Sequence, residues 1–215
     1  MKASKLRIGV LWLGAATVCP GAQNRLTIVV SDTVGLPQNV IALAVKLTRL
    51  TFADAGIHAA WLVCPSKSCA ERPAAIPYLL IRVAPRMLAP PQGSGAEGEP
   101  AGYALTGGGM LDGARALVFY SVIEAFAANQ RRRPSLVLAC VLIHEIAHTL
   151  GLKHQTDGVM RATLNPHGIQ DVALGLGFTP AEARQLRMGA MRLNDSPPSG
   201  EASLSPISAT RLAPH

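Results

Sequence analysis

An apolar segment in the middle of this 215-residue chain runs directly into ionisable side chains, and this arrangement narrows the choice of fold. Residues 136–143 are apolar on every side when wound as a helix, and His144 and Glu145 follow without a break. A helix that is apolar all round lies inside a core rather than on a surface. We therefore expect a buried helix that begins near Ser135, a good N-cap residue, and ends near Leu150.

The flanking segments predict the fold class. β-branched and apolar runs predict strands at residues 25–31, 57–63, 78–84, 102–105 and 116–120. A helix is expected from Pro37 to Gly56, and another from Pro180 to about Met191. The second is preceded by a capping-box pattern at residues 179–182. This order predicts an α+β fold: a mixed twisted sheet with packed helices and a small C-terminal lobe.

The two ends of the chain differ from its middle. Residues 1–22 combine a basic start with an apolar run of about 11 residues and then small residues, which is typical of a signal peptide. That run is too short to span a bilayer. Residues 23–195 are expected to form one folded domain, and residues 196–215, rich in Pro, Ser and Ala, a disordered tail.

These features predict a secreted or periplasmic protein without a stable membrane span. A lipid anchor on Cys19 is disfavoured because Val18 is a poor fit before it. Cys64 and Cys69 flank a short loop; they either form a disulfide or remain two thiols, and the spacing does not decide between them. Cys140 lies in an apolar stretch and is expected to be a buried free thiol.

The charge balance argues against nucleic acid as a partner. The formal charge is +7, from 20 basic and 13 acidic residues. Removal of residues 1–22 takes away three basic residues, leaving 17 against 13, or +4. The basic run at residues 131–133 has no interleaved aromatic residues on which bases could stack, and it is expected to be a solvated loop.

The helix also carries a pattern with metal chemistry. His144 and His148 are four residues apart, so their imidazoles share one helical face and can bind one ion. Gly151 allows the chain to leave the helix, and the turn returns His154 as a third ligand. Three imidazoles leave a fourth position open on Zn²⁺, as in catalytic sites, and Glu145 is placed to act as general base.

Residues 144–154, HEIAHTLGLKH, resemble the extended zinc motif of the metzincin peptidases, and Met160 resembles the Met-turn of that clan. The resemblance implies a mixed sheet with a zinc cleft between an upper lobe and a smaller C-terminal lobe. The compact stretch before Met160 is most similar to matrixin-like and related bacterial members. Two positions depart from the pattern. Gln155 matches no common residue after the third His, and Arg161 stands where some members have a nearby Tyr.

The expected function is that of a zinc endopeptidase, with a protein or peptide substrate and a monomeric chain. An extended substrate would add to a sheet edge, for which residues 102–105 are the candidate. Two alternatives remain open at this point. One is a zinc-binding surface or adhesion module without proteolysis, which the presence of Glu145 disfavours. The other is an amidase or related hydrolase that acts on a small molecule with the same metal chemistry.

Overall fold

The computed structural model describes residues 26–65, 78–86, 100–104 and 115–195, together with the backbone of residues 208–212. The predicted signal peptide, Cys19 and Cys69 lie outside these ranges. Cys64 is disulfide-bonded. No helix within the described ranges is long and apolar enough to cross a bilayer.

Seven strands of the described residues form one sheet in the order β2-β1-β3-β5-β4-β7-β6. Their bounds in chain order are β1 Thr27–Asp32, β2 Ala60–Cys64, β3 Tyr78–Ala84, β4 Gly102–Ala104, β5 Ala116–Phe119, β6 Thr163–Leu164 and β7 Ser208–Leu212. Strands β2, β1, β3 and β5 are parallel neighbours. Strand β4 runs antiparallel to both β5 and β7, and β7 pairs in parallel with β6. The mixed sheet expected from the sequence is therefore confirmed.

The described helices are α1 Gln38–Asp54, α2 Tyr120–Asn129, α3 Pro134–Thr149, α4 Pro166–Ala173 and α5 Pro180–Asp195. Helices α1 and α3 pack against each other over the sheet. Alternate strand residues point to opposite faces. Ile28, Val30, Leu79 and Ile81 accordingly join the large core that contains the helices. Val29 and Leu80 instead join a smaller cluster on the opposite face.

Three local expectations differ from the structure. Helix α3 begins two residues earlier than predicted, because Pro134 takes the first helical position and Arg133 the N-cap position, so Ser135 lies inside the helix. Helix α4 was not predicted from its sequence; Asn165 caps it by accepting a hydrogen bond from the Gly168 N–H at 3.0 Å. Ser208–Leu212 lie in the segment expected to be disordered, yet they form β7, because β4 and β6 satisfy their backbone groups.

Helix α5 docks closely on the end of α3. The capping box at its start is formed, since the Thr179 N–H donates to Glu182 at 2.7 Å and the Glu182 N–H donates to the Thr179 hydroxyl at 3.3 Å. At Gly189 the two helices are so close that an added Cβ would lie 1.9 Å from the carbonyl oxygen of Leu150. Only glycine fits this contact, and helix α5 therefore packs directly against the turn that follows α3.

We predict that Gly189→Ala lowers the free energy of unfolding by about 1–3 kcal/mol, because the new methyl group must push α5 away from a rigid backbone. Urea unfolding followed by circular dichroism measures this change. Gly168→Ala is the matched control, since its Cβ would meet nothing closer than 3.7 Å and it also lies in a helix. An equal effect of both substitutions would contradict the close packing at Gly189.

Candidate metal centre

The core around α3 contains few polar side chains, and most of those are satisfied locally. Thr48 donates to the carbonyl of Ala44 at 2.8 Å, and the Asp32 carboxylate accepts three backbone N–H groups at 2.8–3.0 Å. His144, Glu145 and His148 are also buried, and all three lie on α3. Buried ionisable groups are costly unless they are paired or bind a metal. Their clustering on one helix therefore marks the candidate site.

His144 and His148 direct the same ring nitrogen toward each other. Each ring uses Nδ1 on a backbone carbonyl: that of Val159 for His144 and that of Leu152 for His148, both at 2.7 Å. A neutral imidazole carries one hydrogen, so donation from Nδ1 leaves Nε2 as a lone pair. The two Nε2 atoms are 2.8 Å apart. Two facing lone pairs at this distance repel each other, and a cation bound to both nitrogens would relieve that repulsion.

The third imidazole reaches the pair through a tight turn. Gly151 has φ +93°, and the N–H groups of Gly151 and Leu152 donate to the carbonyls of His148 and Ala147 at 2.9 and 3.0 Å. These two bonds form a Schellman motif, which ends α3 and reverses the chain. The Leu152 carbonyl then orients His148, while the chain continues to His154. One short turn thus positions two of the three rings.

A second loop contact holds His154 near the pair. The N–H of the next residue, Gln155, donates to the carbonyl of Met160 at 2.9 Å. The His154 ring centroid lies 5.2 Å from that of His144 and 4.6 Å from that of His148. One ligand atom from each of the three rings lies within 4.8 Å of the other two. The structure therefore brings together the three residues predicted as metal ligands.

Burial favours the neutral form of these rings, which is the form that binds metals. Burial and, to a smaller extent, the neighbouring His148 lower the pKa of His144 to about 3, against an opposing effect of the Val159 hydrogen bond. Burial likewise lowers the pKa of His148 to about 4. The pKa of the more exposed His154 is lowered by the same cause. At neutral pH, a metal ion therefore does not compete with protons for these nitrogens.

Glu145 is wholly buried on the same helix, against strand β4. A Cβ added to Gly102 would lie 2.8 Å from its Oε1 atom and 2.9 Å from its Cγ atom. The absence of a side chain at Gly102 therefore makes room for the carboxylate. Sequence reasoning did not identify this role. The signal was present, because glycine inside a strand is typical of a close approach by another group.

Two further residues flank the cluster. Met160 is fully buried in a single 3₁₀ turn, Gly158–Met160, that lies against α3. This turn also supplies the Val159 carbonyl that orients His144. Cys140 lies one helical turn before His144 but is not part of the ligand cluster. Its thiol is free and wholly buried, and burial raises its pKa, so it packs as a core thiol, as expected.

The donor set fits a zinc ion. Three imidazole nitrogens suit Zn²⁺, and structural zinc sites close the coordination with a fourth protein ligand. Within the part of the chain that the structure describes, no fourth His, Cys, Asp or Glu joins the three rings. The arrangement is therefore that of a site with an open position. The carbonyls of Val159 and Leu152 complete it by fixing both buried rings, a role that only the folded chain reveals.

No protein-family model and no curated protein matches this chain. Among solved structures, it is similar to archaemetzincin from Methanopyrus kandleri, with a TM-score of 0.47 and 15% sequence identity. The matched region covers 81% of this chain and 99% of that chain.

We predict that the chain binds one zinc ion, and that His144→Ala or His148→Ala weakens the affinity by more than about a hundredfold. Loss of a direct ligand should exceed the 10–100-fold effect of removing an outer partner. Competition with a chromogenic chelator measures the dissociation constant. His167→Ala serves as control, because His167 is exposed on α4. Unchanged affinity in His148→Ala would contradict the assigned ligand set.

We also predict that the metal-free protein loses stability as the pH falls below about 6.5. The pKa of His144 is about 3 and that of His148 about 4 in the folded chain, whereas unfolded histidines titrate near 6.5. Between these values the unfolded state binds protons that the folded state does not, so acid favours unfolding. Urea midpoints measured at about pH 7.5 and about pH 5, with chelator present, test this, because the two pH values lie on either side of the pKa of an unfolded histidine.

The double variant His144→Gln/His148→Gln is the control for the pH effect, because it removes both titrating rings and keeps polar groups in their place. Its urea midpoint should depend less on pH than that of the natural sequence. An identical pH dependence in both proteins would show that other groups cause the acid lability.

Proposed function

We propose that this chain is a zinc-dependent peptidase of the metzincin type that cleaves peptide bonds within extended substrates. One observation carries the proposal: ligand atoms of His144, His148 and His154 converge within 4.8 Å, and the buried Glu145 directly follows the first of them in helix α3. A site that only stabilises the fold has no need of such a carboxylate and would use four protein ligands.

The three imidazoles would hold the ion, and the backbone carbonyls of Val159 and Leu152 would keep both buried rings in the ligating tautomer. When bound, Zn²⁺ supplies Lewis acidity that polarises a carbonyl and acidifies water. Glu145 follows His144 directly, which displaces its side chain from the face that carries the ligands. The carboxylate therefore acts as a proton acceptor and not as a ligand, and it later returns the proton to the leaving nitrogen.

Strand β4 would hold the substrate. It pairs with β5 along one edge, and its other edge accepts a strand in antiparallel orientation. Main-chain hydrogen bonds to such an edge recognise an extended peptide largely irrespective of its sequence. Because Gly102 of β4 touches Glu145, a peptide bound along this strand passes close to the proposed base. This arrangement favours a peptide over a small molecule as substrate.

The disulfide-bonded state of Cys64 supports our further proposal that the protein acts in an oxidising compartment outside the cytoplasm. Such a location agrees with the basic and apolar start of the sequence.

A second candidate function is zinc binding without proteolysis, as in a surface or adhesion module. The complete burial of Glu145 favours it, because a buried base does not reach a substrate in this conformation. The two functions share the metal site and differ in whether Glu145 contributes to turnover.

We predict that Glu145→Gln retains zinc and lowers kcat/KM for a quenched peptide library by about 10²–10⁴-fold, the usual contribution of a general base. Glutamine keeps the size of the side chain but accepts no proton at neutral pH. Glu124→Gln, on the exposed face of α2, is the matched control and should cleave as the natural sequence does. Full zinc occupancy without cleavage by any of the three proteins would favour the binding module.

A further inference from the structure

Strand β7 occupies the edge of β4 that the proposed function assigns to substrate. Its backbone pairs antiparallel with β4 in the register Gly102 with Thr210, Tyr103 with Ala209 and Ala104 with Ser208. On its other side β7 pairs in parallel with β6, through Arg211 and Leu212. Residues 208–210 thus pair with β4 and residues 211–212 with β6, and these five residues occupy the slot between the two strands.

The slot adjoins the metal centre. Thr210 is in register with Gly102, and Gly102 is the residue that leaves room for Glu145. Strand β7 also lies alongside α3, the helix that carries His144, Glu145 and His148. The backbone of β7 thus runs past the proposed base in the direction that an antiparallel peptide would take.

The burial of the site agrees with an occupied slot. Glu145 and His144 are both 0% exposed, and His148 is 2% exposed. A general base has to come within hydrogen-bond reach of the group whose proton it takes. Glu145 has no exposed surface in this conformation, although His154 is exposed, so a substrate reaches the carboxylate only after a covering segment moves.

We propose that Ser208–Leu212 is an internal inhibitory strand, which takes the antiparallel position of a peptide substrate on β4 and has to leave before cleavage. This inference rests on the proposed function for its consequence, but the exchange of one strand for another does not depend on hydrolysis. The segment is bound intramolecularly and therefore competes at a high effective concentration, although it is short. Apparent activity then equals the intrinsic activity multiplied by the fraction of molecules with an open slot.

The first experiment uses the full chain with Ala209→Pro/Thr210→Pro. Consecutive N–H groups point to opposite sides of a strand, so one of the two prolines removes a donor toward β4. If about one molecule in ten is open in the natural sequence, opening all of them raises kcat/KM for a peptide roughly tenfold. The control, Ala209→Val/Thr210→Val, keeps both donors and should stay at the natural level. A folded, zinc-loaded proline variant with unchanged kcat/KM would overturn the proposal.

The second experiment measures strand exchange without cleavage. A fluorescent peptide of residues 206–213 is titrated into zinc-free protein, and its anisotropy is recorded. The proline variant should bind this peptide, the natural sequence should bind it at least roughly tenfold more weakly, and a peptide carrying both prolines should not bind. Equal binding to both proteins, or none to either, overturns the inhibitory strand. If the peptide exchanges with β7 but no variant cleaves a substrate, the result supports the internal strand and contradicts the proposed peptidase function.

A third variant covers the case in which the proline chain does not fold. Ala104 and Ser208 are register partners, and facing residues of an antiparallel pair have Cα atoms about 4.5–5.5 Å apart, within the range of a disulfide. In Ala104→Cys/Ser208→Cys, oxidation should abolish cleavage and mild reduction should restore it, while Ser208→Cys alone responds to neither. Full activity of the cross-linked protein would show that β7 does not obstruct the site.

Discussion

The candidate site depends on one contact: two imidazole lone pairs that face each other at 2.8 Å inside an apolar core. Protonation would relieve their repulsion, but burial lowers the pKa of both rings far below neutrality. A divalent cation would relieve the repulsion without protonating a buried ring, and His154 places a third imidazole beside the pair. Contacts from neighbouring segments hold the two imidazole rings in this orientation.

Backbone carbonyls, rather than side chains, provide that restraint. The Val159 carbonyl comes from the 3₁₀ turn and the Leu152 carbonyl from the Schellman turn, so neither ring can rotate without losing a hydrogen bond. Helix α5 presses on the end of α3 at Gly189, where no side chain fits. The candidate metal centre is consequently coupled to helix α5 by rigid backbone contacts, although α5 contributes none of the three imidazoles.

Close packing also determines the contact between helix α3 and strand β4. At Gly102 the backbone of β4 approaches Glu145 of α3 closely, which brings the proposed substrate-binding strand and the proposed base together. An edge strand with unpaired backbone groups attracts any extended chain. In this protein β7 pairs with that edge, and under our proposal it also blocks a peptide from the site. The buried Glu145 and the covered edge of β4 therefore lie at the same place in the fold.

Helix α3 and the pairing of its two histidines were predictable from the sequence, because the all-apolar run and the four-residue spacing of His144 and His148 act locally. The strand–helix order likewise predicted the mixed sheet, and Gly151 predicted the turn toward His154. The roles of Val159, Gly102 and Gly189 depend on contacts between segments distant in the chain, which no local pattern encodes. Strand β7 is the clearest case: its residues have no strong strand pattern of their own. They become a strand only because β4 and β6 offer hydrogen-bonding partners on both sides.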